Sequence, residues 1–465
     1  MRHRHTLGAA AATALAATLL APLHAQAAQA AQATAHTAAA RYADDFNGDG
    51  YRDLAFGTPF GIHGGRSTAG HVGVAYGSAQ GPGNNPLPIG QESPGVPGTA
   101  EEEDQFGQTF TSGDLDSDGY ADLAVSAPYE DVGGTRDRGT VTILWGGNLG
   151  LRGGANIPDK APALDGYFGQ QMAAADFTGD GTCDLAVLQD RTVRLYKGPF
   201  TRDGKPKAVL AKRLAHEARK LVAGKVNRTA AADLVLVGEG RTEVLLGTDR
   251  GFATSRTTMA GGREAAIGDF DKDGYGDIAV SDGWADLGRI RAAGRVTVAY
   301  GSPQGISPTR RAVTFTQNTS GVPGGAEADD RFGSDVSAGD VNGDGHADLV
   351  VGAAEEDNTG GAAFLKGSPR GLTGQGARWI AQGAGGVPNR SGDTFGESVR
   401  VMDTNRDGKA DIAIGDPSVY GWEGIAWSIP GRSTGPDGQN STVIYAPGSL
   451  GDRHISVQFG GYLPD

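Results

Sequence analysis

A single cysteine, Cys183, stands in a chain of 465 residues, so no disulfide can form within it. An exported protein built this way needs some other staple. Long apolar runs are also missing. The longest, from about Leu7 to Leu23, falls short of the roughly 20 residues that a membrane-spanning helix needs. No segment shows helical periodicity. No HExxH spacing occurs, and His63, His71, His216, His346 and His454 are scattered. The sequence GRSTG from Gly431 matches the nucleophile-elbow pattern, but it follows a strand instead of opening a helix and reads as coincidence. No basic stripe exists to meet phosphates, which argues against a nucleic-acid partner.

What is present begins with Arg2 and Arg4 ahead of the apolar run, and small residues spaced for cleavage after it. Residues 1–27 read as a secretory signal peptide cut near Ala27, and residues 28–40 as a flexible Ala-rich leader. The expected location is therefore extracellular. Glycine supplies 77 of the 465 residues, over twice the usual share, so the rest is a turn-rich globular chain. The net charge of −14 is concentrated in short loops. Six of them hold 20 of the 55 acidic residues, and outside them the balance turns slightly positive.

These loops recur. "DFNGDGYRDLAFG" from Asp45 returns as "DLDSDGYADLAVS" from Asp114, "DFTGDGTCDLAVL" from Asp176 and "DFDKDGYGDIAVS" from Asp269. It returns again as "DVNGDGHADLVVG" from Asp340 and "DTNRDGKADIAIG" from Asp403, with a decayed copy, "KVNRTAAADLVLVG", from Lys225. A second motif gives an independent count of seven, a short alternating segment closed by glycine: GHVGVAYG, GTVTILWG, RTVRLYKG, TEVLLG, GRVTVAYG, GAAFLKG and GIAWSIPG. Alternation with β-branched and aromatic residues marks half-buried strands. A period of about 60 residues with several short strands per unit predicts an all-β fold, a seven-bladed β-propeller of four-stranded antiparallel blades over residues 41–465. The loop should join the first strand of each blade to the second, with the glycine-closed segment as the third.

Oxygen-bearing side chains at positions 1, 3, 5 and 9, a carbonyl at position 7 and glycine at position 6 suit a hard cation such as Ca2+. The candidate ligands are Asp45, Asn47, Asp49, Tyr51 and Asp53, then Asp114, Asp116, Asp118, Tyr120 and Asp122. The third set is weaker: Asp176, Thr178, Asp180, Thr182 and Asp184. Asp269, Asp271, Asp273, Tyr275 and Asp277 follow, then Asp340, Asn342, Asp344, His346 and Asp348, and last Asp403, Asn405, Asp407, Lys409 and Asp411. Five to six structural ions are expected, and none in the unit at Lys225. The EF-hand reading fails because position 12, a bidentate Glu in that motif, is Phe56, Val125, Val187, Val280, Val350 or Ile414.

A Phe-Gly pair precedes four of the loops, at Phe106, Phe168, Phe332 and Phe395. With the loop and a following SAP, GAA or GDP, the unit resembles the FG-GAP repeat of the integrin α-subunit N-terminal propeller. Similar repeats occur in GPI-specific phospholipase D and in many secreted bacterial proteins. Unit one lacks its Phe-Gly, and the chain ends "SVQFGGYLPD" with Phe459 and Gly460. That tail is expected to close the ring against the first blade, so deleting residues 455–465 should sharply lower the melting temperature; an unchanged melt would refute the clasp.

The loops of the opposite face carry aromatics and acids: Tyr129, Glu130, Asp131, Trp284, Glu355, Glu356 and Trp422. Such residues on a rigid ring, as in the integrin resemblance, imply a site for an extracellular protein or glycan. The expected function is a secreted calcium-binding adhesion module, monomeric and with no membrane span once mature. The alternative is a secreted hydrolase, phospholipase-D-like or polysaccharide-active, using the acidic face. No catalytic residue is assigned.

Overall fold

The computed structural model describes residues 42–445, apart from 85, 161–165, 383–389 and 420–423. The signal and leader segments, the tail at 455–465, His454 and Trp422 lie outside the described residues. Each unit folds as the same antiparallel sheet. In blade 2, Phe110–Gly113, Asp122–Ala127, Thr140–Trp145 and Arg152–Asn156 pair in that order, with Gly113 opposite Asp122 and Ala127 opposite Thr140. The acidic loop therefore joins the first strand to the second. The seven glycine-closed segments are the third strands: His71–Ala75, Thr140–Trp145, Thr192–Lys197, Thr242–Thr248, Arg295–Ala299, Gly361–Lys366 and Ile425–Ile429. Six blades show four strands, and three strands of the first are described: Leu54–Thr58, His71–Ala75 and Leu87–Ile89.

Seven apolar clusters fill the seven junctions between neighbouring blades. One of them packs Leu54, Phe56 and Ala75 of blade 1 against Met402, Ala413, Ala426 and Ile444 of blade 7, so the ring closes. The fold is a seven-bladed β-propeller. Its burial pattern departs from the half-buried strands that alternation suggested. Asp122–Ala127, Asp348–Ala353 and Ile425–Ile429 are buried at every residue, because a neighbouring blade covers each face of the sheet. Exposed positions gather in outer strands such as Ala208–Arg213.

The first strands face the axis. Among the described residues they bound a cavity of about 580 Å³, polar on most sides, running past Tyr129 and Tyr167 at one end and Asp44 and Arg52 at the other. No helix among the described residues is long and apolar enough to cross a membrane.

Candidate functional site

Each acidic loop is wound by its own first carboxylate. Asp114 accepts hydrogen bonds from the backbone N–H groups of Asp118 (3.0 Å) and Gly119 (3.1 Å), and Asp118 accepts one from Tyr120 N–H (3.0 Å). The same capture of the position-6 N–H recurs at Asp45, Asp176, Asp269, Asp340 and Asp403. That turn drives position 6 into left-handed backbone. Gly119 has φ +95°, and the glycines at the same place in the other five loops have φ from +81° to +87°. In the decayed unit Ala230 holds the position, and Asn227 Oδ1 accepts from the N–H and hydroxyl of Thr229 at 3.1 and 2.9 Å. The ligand positions there satisfy one another.

Elsewhere negative charge is gathered. Carboxylate oxygens of Asp114, Asp116 and Asp122 lie within 4.8 Å of one another, as do those of Asp269, Asp271 and Asp273. Burial first, then the neighbouring carboxylates, push Asp116 up to about 6, Asp122 to about 8 and Asp277 to about 7. Cationic side chains have been drawn in. Arg202 of blade 3 bridges Asp116 and Asp118, Arg310 reaches Asp271, and Lys366 lies 3.0 Å from Asp344. Asp45 Oδ1 is buried with no hydrogen-bond donor among the described residues. Oxygen-only donors, crowded carboxylates and an orphaned buried oxygen together fit a hard divalent cation.

The ninth carboxylate has a second duty. Its Oδ1 accepts the N–H of the glycine that closes the third strand, at Gly77, Gly146, Gly198, Gly247, Gly301, Gly367 and Gly431, over 2.8–3.2 Å. In six blades its Oδ2 accepts the N–H of loop position 2. Glycine is required at the strand end because the backbones touch there. A Cβ on Gly146 would stand 2.0 Å from the carbonyl oxygen of Ala121. The two motifs counted separately in the sequence are thus one staple, and it persists at Asp233 in the unit that lost its other carboxylates.

The Phe-Gly pairs tie blade to blade. Phe106, Phe168, Phe332 and Phe395 are buried at the junctions. The backbone N–H groups of Phe106, Phe168 and Phe332 bond to Ala69, Arg138 and Ala293 of the preceding blade at 2.8, 2.9 and 3.1 Å.

At the far end of each second strand lies the other face. Asp122–Ala127, Asp277–Asp282 and Asp348–Ala353 start at a loop and run away from it, so Tyr129, Trp284 and Glu355 sit opposite the acidic loops. Trp284 is 49% exposed, with the Arg331 guanidinium 4.3 Å and that of Arg263 5.9 Å from its ring centre. Arg331 also pairs with Glu355 at 2.9 Å. Trp284, Arg263 and Arg331 line, with Arg219, Glu264 and Glu397, a recess of about 260 Å³ at the cavity mouth. Across the mouth, Tyr129 meets Tyr167 edge to face at 5.3 Å. Units three and four turn from second to third strand in a few residues, Asp190–Arg191 and 238–241, so the rim is low there.

Comparison with known proteins agrees with this architecture. The FG-GAP repeat model matches residues 43–74, 106–144 and 332–380. The chain carries FG-GAP repeats on a seven-bladed β-propeller. Phosphatidylinositol-glycan-specific phospholipase D of Rattus norvegicus is 31% identical over 177 residues, 38% of this chain and 20% of that protein. Integrin alpha-5 of Xenopus laevis is 27% identical over 271 residues, 56% of this chain and 21% of the other. Integrin alpha-IIb of Homo sapiens is 36% identical over 148 residues, 31% and 14% of the two chains. The chain thus spans about a fifth or less of these relatives' lengths.

Within the propeller, the residues named from sequence for the opposite face take different places. Trp284 and Glu355 converge through Arg331, and Tyr129 lines the central cavity. Asp131 turns back to accept the N–H of Asp137 in its own loop at 2.9 Å. Glu130 and Glu356 point instead at Gln91 and Gln317. Arg331 and Tyr167 carried no signal of their own in the sequence. Each lies next to a Phe-Gly pair, at Phe332 and Phe168, and that proximity to the blade junction was the available clue.

Proposed function

We propose that this FG-GAP propeller is a secreted, calcium-stabilised binding module that meets an extracellular protein or glycan on the face opposite its acidic loops. The observation that carries the reading is the split between two ends of the same strands. One end gathers carboxylates that suit a cation, and the other offers an exposed Trp284, stacked by Arg331, beside a polar recess. In the loops, calcium would be held by side chains such as Asp114, Asp116 and Asp118 and by the Tyr120 carbonyl. When bound it supplies positive charge that lets the carboxylates stay ionised. The protein's own residues hold the ring rigid so that the rim keeps its shape. A rigid ring loses little entropy on binding, and an aromatic with an arginine is the usual anchor of a recognition surface. The module is further proposed to be exported through its first 27 residues and to act as a monomer.

The test is a screen of the calcium-loaded protein on glycan and extracellular-protein arrays, with a chelated control. Trp284→Ala should weaken the interaction found by at least tenfold, about 1.4 kcal/mol or more, with the melting temperature unchanged. Equal binding by Trp284→Ala would move the site elsewhere.

A further inference from the structure

Away from the six loops, two constellations repeat atom for atom. Gln91 follows the outer strand of blade 1, Asp104 precedes the Phe-Gly at Phe106, and Glu130 follows the second strand of blade 2. Gln317, Asp330 and Glu356 stand at the same places in blades 5 and 6, with the same intervals of 13 and 39 residues. In both, the glutamine Nε2 donates to the glutamate Oε2, at 2.5 and 2.6 Å. In both, the aspartate accepts a backbone N–H three residues upstream, from Glu101 at 2.7 Å and Glu327 at 2.5 Å, and its side chain is in hydrogen-bonding reach of the glutamate.

Hydrogen bonds alone leave one atom unexplained, and it is the same atom twice. Gln91 is 4% exposed and Gln317 3% exposed, and the Oε1 of each is buried with no hydrogen-bond donor among the described residues. An orphaned buried carbonyl costs about 1–3 kcal/mol, so its repetition calls for a ligand. The amide is boxed in: a Cβ on Gly98 or Gly324 would stand 2.8 Å from its Nε2. It thus presents a fixed neutral oxygen beside two carboxyls, a donor set of the hard-cation type.

We propose that Gln91, Asp104 and Glu130, and separately Gln317, Asp330 and Glu356, form two further divalent-cation sites for an oxygen-seeking ion such as Ca2+. They pin the rim at the junctions of blades 1 and 2 and of blades 5 and 6. These sites lie on the opposite face from the acidic loops and stand whether or not those loops hold calcium.

The measurement is the calcium stoichiometry of the full-length protein at pH 8 by equilibrium dialysis. Glu130→Gln and Glu356→Gln keep shape and hydrogen bonding. Each should lose one bound ion per chain, and the double variant two, with the fold checked by circular dichroism. Asp118→Asn serves as the loop control. Its loss should add to theirs, and a count lowered by Glu130→Gln but not by Asp118→Asn would refute the loop reading alone. If Glu130→Gln does not fold, Glu356→Gln and Gln317→Leu put the same question to the second copy. An unchanged count in the folded glutamine variants overturns the proposal.

Discussion

Chelating divalent cations should lower the melting temperature of this propeller by tens of degrees. A site kept at a hundredfold excess over its Kd adds about 2.7 kcal/mol. Six loops together reach on the order of 15 kcal/mol, as large as the whole stability of an ordinary domain. At about 2–4 °C per kcal/mol the melt should fall far outside experimental error. The chelated protein also acquires a distinctive pH dependence. Asp53 and Asp122 are held up to about 8, Asp277 to about 7, and Asp184 and Asp348 to about 6, with burial the first cause in each. These folded values lie above the ordinary carboxylate value, so the folded chain binds protons more tightly than the unfolded one. Stability in chelator should therefore decline as pH rises from about 4 to about 8. With calcium present the decline should flatten, because the ion replaces the protons. Urea midpoints at pH 5 and pH 8, with and without chelator, test both statements. A protein indifferent to chelator at either pH would refute the assignment of cations to the loops.

Asp233→Ala should destabilise the protein by about 3 kcal/mol or more, and by the same amount in calcium and in chelator. Asp233 is fully buried and accepts the N–H groups of Val226, Asn227 and Gly247 at 2.9, 3.0 and 3.1 Å. Removing it strands three donors, each costing about 1–3 kcal/mol when buried without a partner. The loop around it has Lys225 and Thr229 where all six counterparts carry aspartates, so the loss owes nothing to a cation. Asp118→Asn is the contrast. Asp118 is partly exposed, and its effect should be seen in calcium and vanish in chelator. Equal calcium dependence of the two variants would mean that the loop at Lys225 also holds a cation.

These contrasts show which parts of the molecule are local. The loop from Asp114 to Asp122 closes through bonds between residues four and five apart, so its signature survives in six of the seven copies and the blades could be counted from it. The glycine-closed third strands were equally legible, since a close approach of backbones leaves glycine as the residue that fits. Their partnership was not legible. Asp122 and Gly146 are 24 residues apart, and only the paired sheet brings them to 2.8 Å. The alternation of the third strands likewise suggested one solvent face, because the neighbouring blade that covers it lies about 60 residues away.

The sequence by itself determined the repeat, the number of blades, the carboxylate positions and the end of each strand where they lie. These depend on contacts within one unit, and seven copies repeat the message. Tertiary structure alone decided what meets at the other end. Arg331 between Trp284 and Glu355, Tyr167 against Tyr129, and Gln91 beside Asp104 and Glu130 join residues of adjacent blades. No local pattern encodes such meetings, because they exist only once closure of the ring sets the distance between one blade and the next.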